Sequence, residues 1–186
     1  MGDVPDGDLL RRHVLFQPTP RSANTRAIPP VSVFINEWMA DNTSTLSDPA
    51  DGDYEDWFEL YNAGSRRVNL EGYHLSNTKA SPKRFPIPAG YILPAGGHLL
   101  VWADNEPEQN AASPADLHVD FKLAKAGDSI VFAAPDGTIL DSVTFGLQKR
   151  DVSQGREPDG GAGIGSYFHP TPRTSNPPAA DRKSTR

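Results

Sequence analysis

From residue 31 onward, apolar and polar positions exchange places along short runs, each closed by Gly, Pro, Asn or Asp. This is the period of strands with one face turned inward. "VSVFINEWM" (31–39) sets Val31, Val33 and Ile35 against Ser32, Phe34 and Asn36. "DWFELYN" (56–62) places Trp57, Glu59 and Tyr61 on one face and Phe58 and Leu60 on the other. "VNLEGYHLSN" (68–77) follows across "AGSRR", a spacing and a turn chemistry that predict a hairpin with the strand before it. Further runs occupy "KRFPI" (83–87), "GHLLVWA" (97–103), "LHVDFKL" (117–123), "DSIVFAA" (128–134) and "TILDSVTF" (138–145). "PDG" joins the last two: Pro presets one dihedral and Gly accepts the positive one. "NEPEQNAASPADL" (105–117), with two prolines and poor periodicity, reads as a loop.

Eight short strands without a helical period between them predict an all-β fold, an antiparallel sandwich or barrel, with a mixed α+β domain as the alternative. The side chains expected to fill its core are Phe58, Leu60, Leu70, Val101, Phe121, Leu123, Ile130 and Phe132. Each, fully buried, contributes about 1.5–3 kcal/mol.

Length and composition sharpen this picture. The chain has 186 residues, enough for one domain with a substantial core. With 16 glycines and 18 prolines, turns are frequent. Hydrophobic residues make up only 37%, which predicts unstructured length at the ends. The expected organisation is a linker over 1–30, one domain over 31–172 and a second linker over 173–186, each end rich in Pro, Arg, Ser, Thr and Asp. The net charge is −6, and the basic residues concentrate at the ends, which leaves an acidic body. Such a body argues against wrapping nucleic acid, which needs a clustered positive face. No cysteine is present, so disulfides and thiol chemistry are excluded. No stretch has the length of a membrane span, and "DLLRRHVLF" sets two arginines among its apolar residues, unlike a secretory signal.

One string occurs twice. "FQPTPRSAN" (16–24) and "FHPTPRTSN" (168–176) agree at six of nine positions and lie 152 residues apart, about one domain length. The spacing predicts that residues 1–30 include the end of a similar preceding domain in a larger parent protein.

"VFINEWMADN", "DYEDWFELYNAGSRRVNLEGYHLSN", "LPAGGHLLVWAD", "HVDFKLAKAGDSIVFAAPDGTILDSV", "RDVSQGREPDG" and "PTPRTSN" follow one another in the order of the lamin-tail domain family. The chain resembles its bacterial members over about residues 31–176. The resemblance implies an immunoglobulin-like β-sandwich without enzyme activity, an accessory module of large exported or surface proteins. One departure stands out: "TPR" replaces the usual "TPG" at both copies, which puts the local turn in question. No heptad repeat supports a filament-forming lamin.

Candidate chemistry centres on "DPADGDYEDWFELYNAG" (48–64). Asp48, Asp51, Asp53, Glu55 and Asp56 supply the oxygen ligands that Ca²⁺ prefers. Their spacing is not that of an EF-hand, and a solvated loop blunting a sheet edge is the competing reading. Glu37 and Glu59 lie within strands and must face water or find partners such as Arg66, Arg67 or Lys83. Paired carboxylates can also act as acid and base in glycoside cleavage. His13, His74, His98, His118 and His169 show no metal-binding spacing. "GIGSY" (163–167) is not a nucleophile elbow, and "GGAGIG" (160–165) fits a hairpin better than a phosphate loop. Trp38, Trp57 and Trp102 would serve a carbohydrate-binding module if exposed.

The expected function is a non-catalytic interaction or adhesion module within a larger exported bacterial protein, extracellular or at the cell surface, a monomeric domain engaging a protein or glycan partner. A calcium-dependent carbohydrate-binding module is the alternative.

Overall fold

Twelve strands run through the residues that a computed structural model describes, 31–111 and 115–178. They are β1 (Val33–Met39), β2 (Trp57–Asn62), β3 (Val68–Asn69), β4 (His74–Ser76), β5 (Phe85–Pro86), β6 (Ile92–Leu93), β7 (His98–Trp102), β8 (Leu117–His118), β9 (Asp128–Ala133), β10 (Ile139–Phe145), β11 (Ser153–Glu157) and β12 (Gly163–Tyr167). The expected loop at 105–117 contains one 3-10 turn, Pro107–Ala111. The linker expected over 1–30, and the part of the other that follows residue 178, lie outside the described residues.

The strands form an all-β, immunoglobulin-like sandwich. One layer has the order β12-β11-β1-β2-β7-β8, the other β10-β9-β4-β5, and β3-β6 form a two-stranded pair. Pairing is antiparallel except for β7 with β8, which run parallel. All eight predicted core residues are buried in one cluster between the layers. Aromatic rings stack within it: Trp38 of β1 lies 6.1 Å from Phe145 of β10, and Phe58 lies 6.3 Å from Phe121.

The hairpin predicted between 56–62 and 68–77 does not form. β2 pairs instead with β1 and β7, while β4 pairs with β5 and β9 in the opposite layer. Asn62 makes the corner. Its side-chain amide donates to the carbonyls of Arg66, Leu93 and Pro94 at 2.8, 3.2 and 2.9 Å, and its oxygen accepts the Gly64 N–H. Beyond this corner Leu70 and Leu75 enter the core from the other side, fully buried. The "PDG" hairpin between β9 and β10 is present, with Gly137 at φ +94° as the turn demands.

A second apolar cluster lies on the outer face of the larger sheet. Met39, Trp57, Leu100 and Trp102 pack there beneath Leu46. Both faces of β2 are therefore covered. On the same outer face Glu37 pairs in register with Glu59, next to the second cluster.

Candidate functional site

The loop between β1 and β2 folds back over the sheet edge, and its first carboxylate is set by backbone bonds. Asp48 N–H donates to the Asp53 carbonyl, Gly52 N–H donates to the Asp48 carbonyl, and Ala50 N–H donates to Asp48 Oδ1, each at 2.8 Å. Asp48 Oδ2 is thereby turned inward. It lies 3.4 Å from His118 Nδ1, which is 2.5 Å from Asp104 Oδ2. All three residues are about 1% exposed.

Parallel pairing creates this meeting point. Trp102 of β7 lies opposite His118 of β8, and Asp104 follows β7 by two residues. Asn110 then clasps the backbone of His118, accepting its N–H and donating to its carbonyl, both at 2.8 Å. Asp48, Asp104 and His118 offer ligand atoms within 4.8 Å of one another, and so do Asp48, Asp51 and Glu55. Asp51 Oδ2 accepts from Gln109 Nε2 at 2.9 Å, and Glu106 Oε2 accepts from the same group at 2.5 Å. Burial, with Asp104 and Glu106 nearby, pushes the Glu55 carboxyl up to about 7. Burial raises Asp48 as well.

Of the five predicted loop ligands, three converge: Asp48, Asp51 and Glu55. Asp53 and Asp56 do not join them. Asp53 contributes its backbone carbonyl to the turn, while Asp56 accepts the Asn42 N–H at 3.2 Å and is pushed up to about 6 by burial. Asp104 and His118 escaped the sequence reading because only the parallel β7–β8 pair brings them to the loop.

Glu37 and Glu59 are corrected more sharply. Neither is a sheet-surface residue, and Arg66, Arg67 and Lys83 are not their partners. Both are fully buried. Residues 170–176, "PTPRTSN", lie across the outer face of the sheet and cover them. Ser153 Oγ donates to Glu37 Oε1 at 2.5 Å, and Thr171 Oγ1 donates to Glu37 Oε2 at 2.9 Å. The Arg173 N–H donates to Glu59. Asn176 Nδ2 donates to the Arg156 carbonyl at 2.8 Å, and Asn176 N–H donates to Asp159 at 2.9 Å. Contacts with the sheet thus run on beyond residue 172 to Asn176, and supply donors to the two buried strand carboxylates.

Gly155 makes room for the segment. A Cβ there would stand 2.7 Å from Asn176 Nδ2 and 2.8 Å from the Asn36 carbonyl. The turn questioned at "TPR" holds Arg173 at φ +66°, a conformation that suits glycine. Arginine occupies it with its guanidinium 2.5 Å from Asp116 Oδ2.

Trp38, Trp57 and Trp102 lie in the two apolar clusters, at most 2% exposed, and offer no stacking surface to a sugar. His98 sits under the outer-face cover, 3.7 Å from Asp159 and 3.9 Å from Glu59, and burial lowers its pKa. A cleft of about 440 Å³ opens beside β10, β11 and β12, lined by Trp38, Phe145, Gly146, Arg156 and Ile164 among others. β10 and β12 each end a sheet. Ile164 of this lining is 50% exposed; Leu147, next to Gly146, is 77% exposed, and Phe168, just after β12, is 67% exposed with Lys149 Nζ over its ring.

Among the described residues no helix is long and apolar enough to cross a membrane. Compared with known proteins, residues 26–146 match a family model described as Lamin Tail Domain. No curated protein matches the chain. The match ends before β11 and β12, which complete the larger sheet.

Proposed function

Because this chain belongs to the lamin tail domain family, whose members are immunoglobulin-like interaction modules rather than enzymes, we propose that it is a non-catalytic binding module of a larger exported bacterial protein. It acts outside the cell or at its surface, where it engages a protein or glycan partner.

The observation that supports this reading is where polar and apolar groups lie. Glu37, Glu59, Asp48, Asp104 and His118 are buried and fasten loops to the sheet. Leu147, Ile164 and Phe168 stay exposed beside two strand edges that end their sheets. Exposed apolar side chains beside such edges favour contact with a partner, and a free strand edge can accept an extended segment.

The repeated string fits the same reading. "PTPRTSN" closes this domain over Glu37 and Glu59, and residues 18–24, "PTPRSAN", are what a similar unit upstream would carry at its end. A tandem array of such units spaces its neighbours at a surface.

The test compares the parent protein with and without residues 31–176, and with Leu147→Ser and Phe168→Ser together. Attachment to the cell surface should fall in both variants, while turnover of soluble substrate by neighbouring domains stays the same. Unchanged attachment in both, or turnover by the isolated domain, would overturn the reading.

A further inference from the structure

Burying a carboxylate without a hydrogen bond is expensive, and this molecule does so twice at one place. Asp48 Oδ2 and Glu55 Oε2 are both buried without a hydrogen-bond partner. His118 Nδ1 carries at most one proton, and Asp104 takes that contact at 2.5 Å, which leaves Asp48 Oδ2 at 3.4 Å. Among the described residues, six carboxylates stand around these atoms and His118, from Asp48, Asp51, Glu55, Asp104, Glu106 and Asp116. The facing cationic groups are His118 and Lys122, whose Nζ lies 3.6 Å from Glu55. Asp51, at the exposed rim, leaves a way in.

We propose that Asp48, Asp104 and His118 bind a first-row divalent cation of the zinc class, with Glu55 or Asp51 completing its coordination. Three considerations support this assignment. The first is geometry: three donors from three separate stretches of chain, the β1–β2 loop, the end of β7 and β8, already lie within 4.8 Å of one another, close to the span of ligands around an ion bonded at about 2.0–2.2 Å. The second is need, since the ion would satisfy Asp48 Oδ2 and Glu55 Oε2 and offset the local negative charge. The third is donor type. Calcium takes oxygen ligands, whereas a buried imidazole beside two carboxylates suits zinc and its neighbours. The site therefore differs from a calcium loop built on residues 48–56 alone. Its effect is to staple the β1–β2 loop to the β7–β8 pair, whichever partner the domain engages.

The experiment uses the full chain after treatment with a chelator. Zinc, manganese and calcium chlorides are added separately, and melting temperature, bound ion per chain and the imidazole ¹⁵N shifts are measured. Zinc should bind at one ion per chain and raise the melting temperature by about 5–10 °C at a hundredfold excess over its Kd. It should also move the Nδ1 resonance of His118 specifically. His118→Gln and Asp48→Asn should each weaken binding at least tenfold. If either variant fails to fold, the His118 resonance in the wild-type chain decides alone. A folded chain whose His118 signal is untouched by zinc overturns the proposal. So does calcium binding tighter than zinc and unaffected by His118→Gln, which would return the site to the loop carboxylates.

Discussion

Glu59, in the middle of β2, accepts the backbone N–H of Arg173, 114 positions later in the chain. An acidic side chain fully buried in a sheet thus has a main-chain donor brought to it by the last described segment. Glu37 stands beside it in register and holds Thr171 in the same way. The two carboxylates that most resemble a catalytic pair are docking points.

Stability should depend on pH through Glu59. Burial first, and Glu37 and Asp159 after it, pushes this carboxyl up to about 8 from an ordinary 4.5. The folded chain keeps a proton that the unfolded chain releases, so this group favours folding most below about pH 4.5 and progressively less as pH rises to about 8. Glu59→Gln mimics the protonated form. Its melting temperature should exceed that of the wild type at about pH 8, with the gap closing toward about pH 5. Thermal melts across that range check this; a gap independent of pH would refute it.

Ending the chain after His169 should expose the dependence of the fold on its closing segment. Glu37 and Glu59 would exchange the hydrogen bonds of Thr171 and Arg173 for water, at about 0.5–1.5 kcal/mol for each bond lost. The melting temperature should fall on the order of 10 °C. A truncated chain as stable as the full one would show that the segment only rests on the sheet.

Arg173→Gly and Arg173→Ala separate backbone strain from charge. Both remove the contact with Asp116, whose arginine partner is 44% exposed and so contributes at most about 1 kcal/mol. Only glycine relieves the left-handed φ of +66°, by about 1 kcal/mol. Calorimetry should find the glycine variant near the wild type and the alanine variant about 1 kcal/mol below the glycine one.

Gly155→Ala should act at a distance along the chain. The new methyl would meet Asn176 and the Asn36 carbonyl at under 3 Å, an overpacking worth about 1–3 kcal/mol. Limited proteolysis should then cut within residues 170–176 faster than in the wild type, while a core marker such as Trp38 keeps its fluorescence.

Much of this fold was legible in the alternation alone. Phe58, Leu60, Phe121 and Phe132 announce buried positions by period, and all lie in the main cluster. Connectivity was not. "AGSRR" has the chemistry of a hairpin turn, yet Asn62 diverts the chain to the other layer through three side-chain bonds that reach as far as Pro94. The candidate site was half visible: Asp48, Asp51 and Glu55 are close in sequence, whereas Asp104 and His118 are recruited by a parallel pairing that no local pattern encodes. Burial of Glu37 and Glu59 was hidden for a related reason, because what covers them lies more than a hundred residues away.

The same closing segment gives the domain a mechanical character. Asn176 and Thr171 rest on Asn36 and Glu37, in the middle of β1, so tension applied through both flanks meets at one stretch of backbone. A pull on residues 31 and 178 would load these bonds before the pairings of the interior strands.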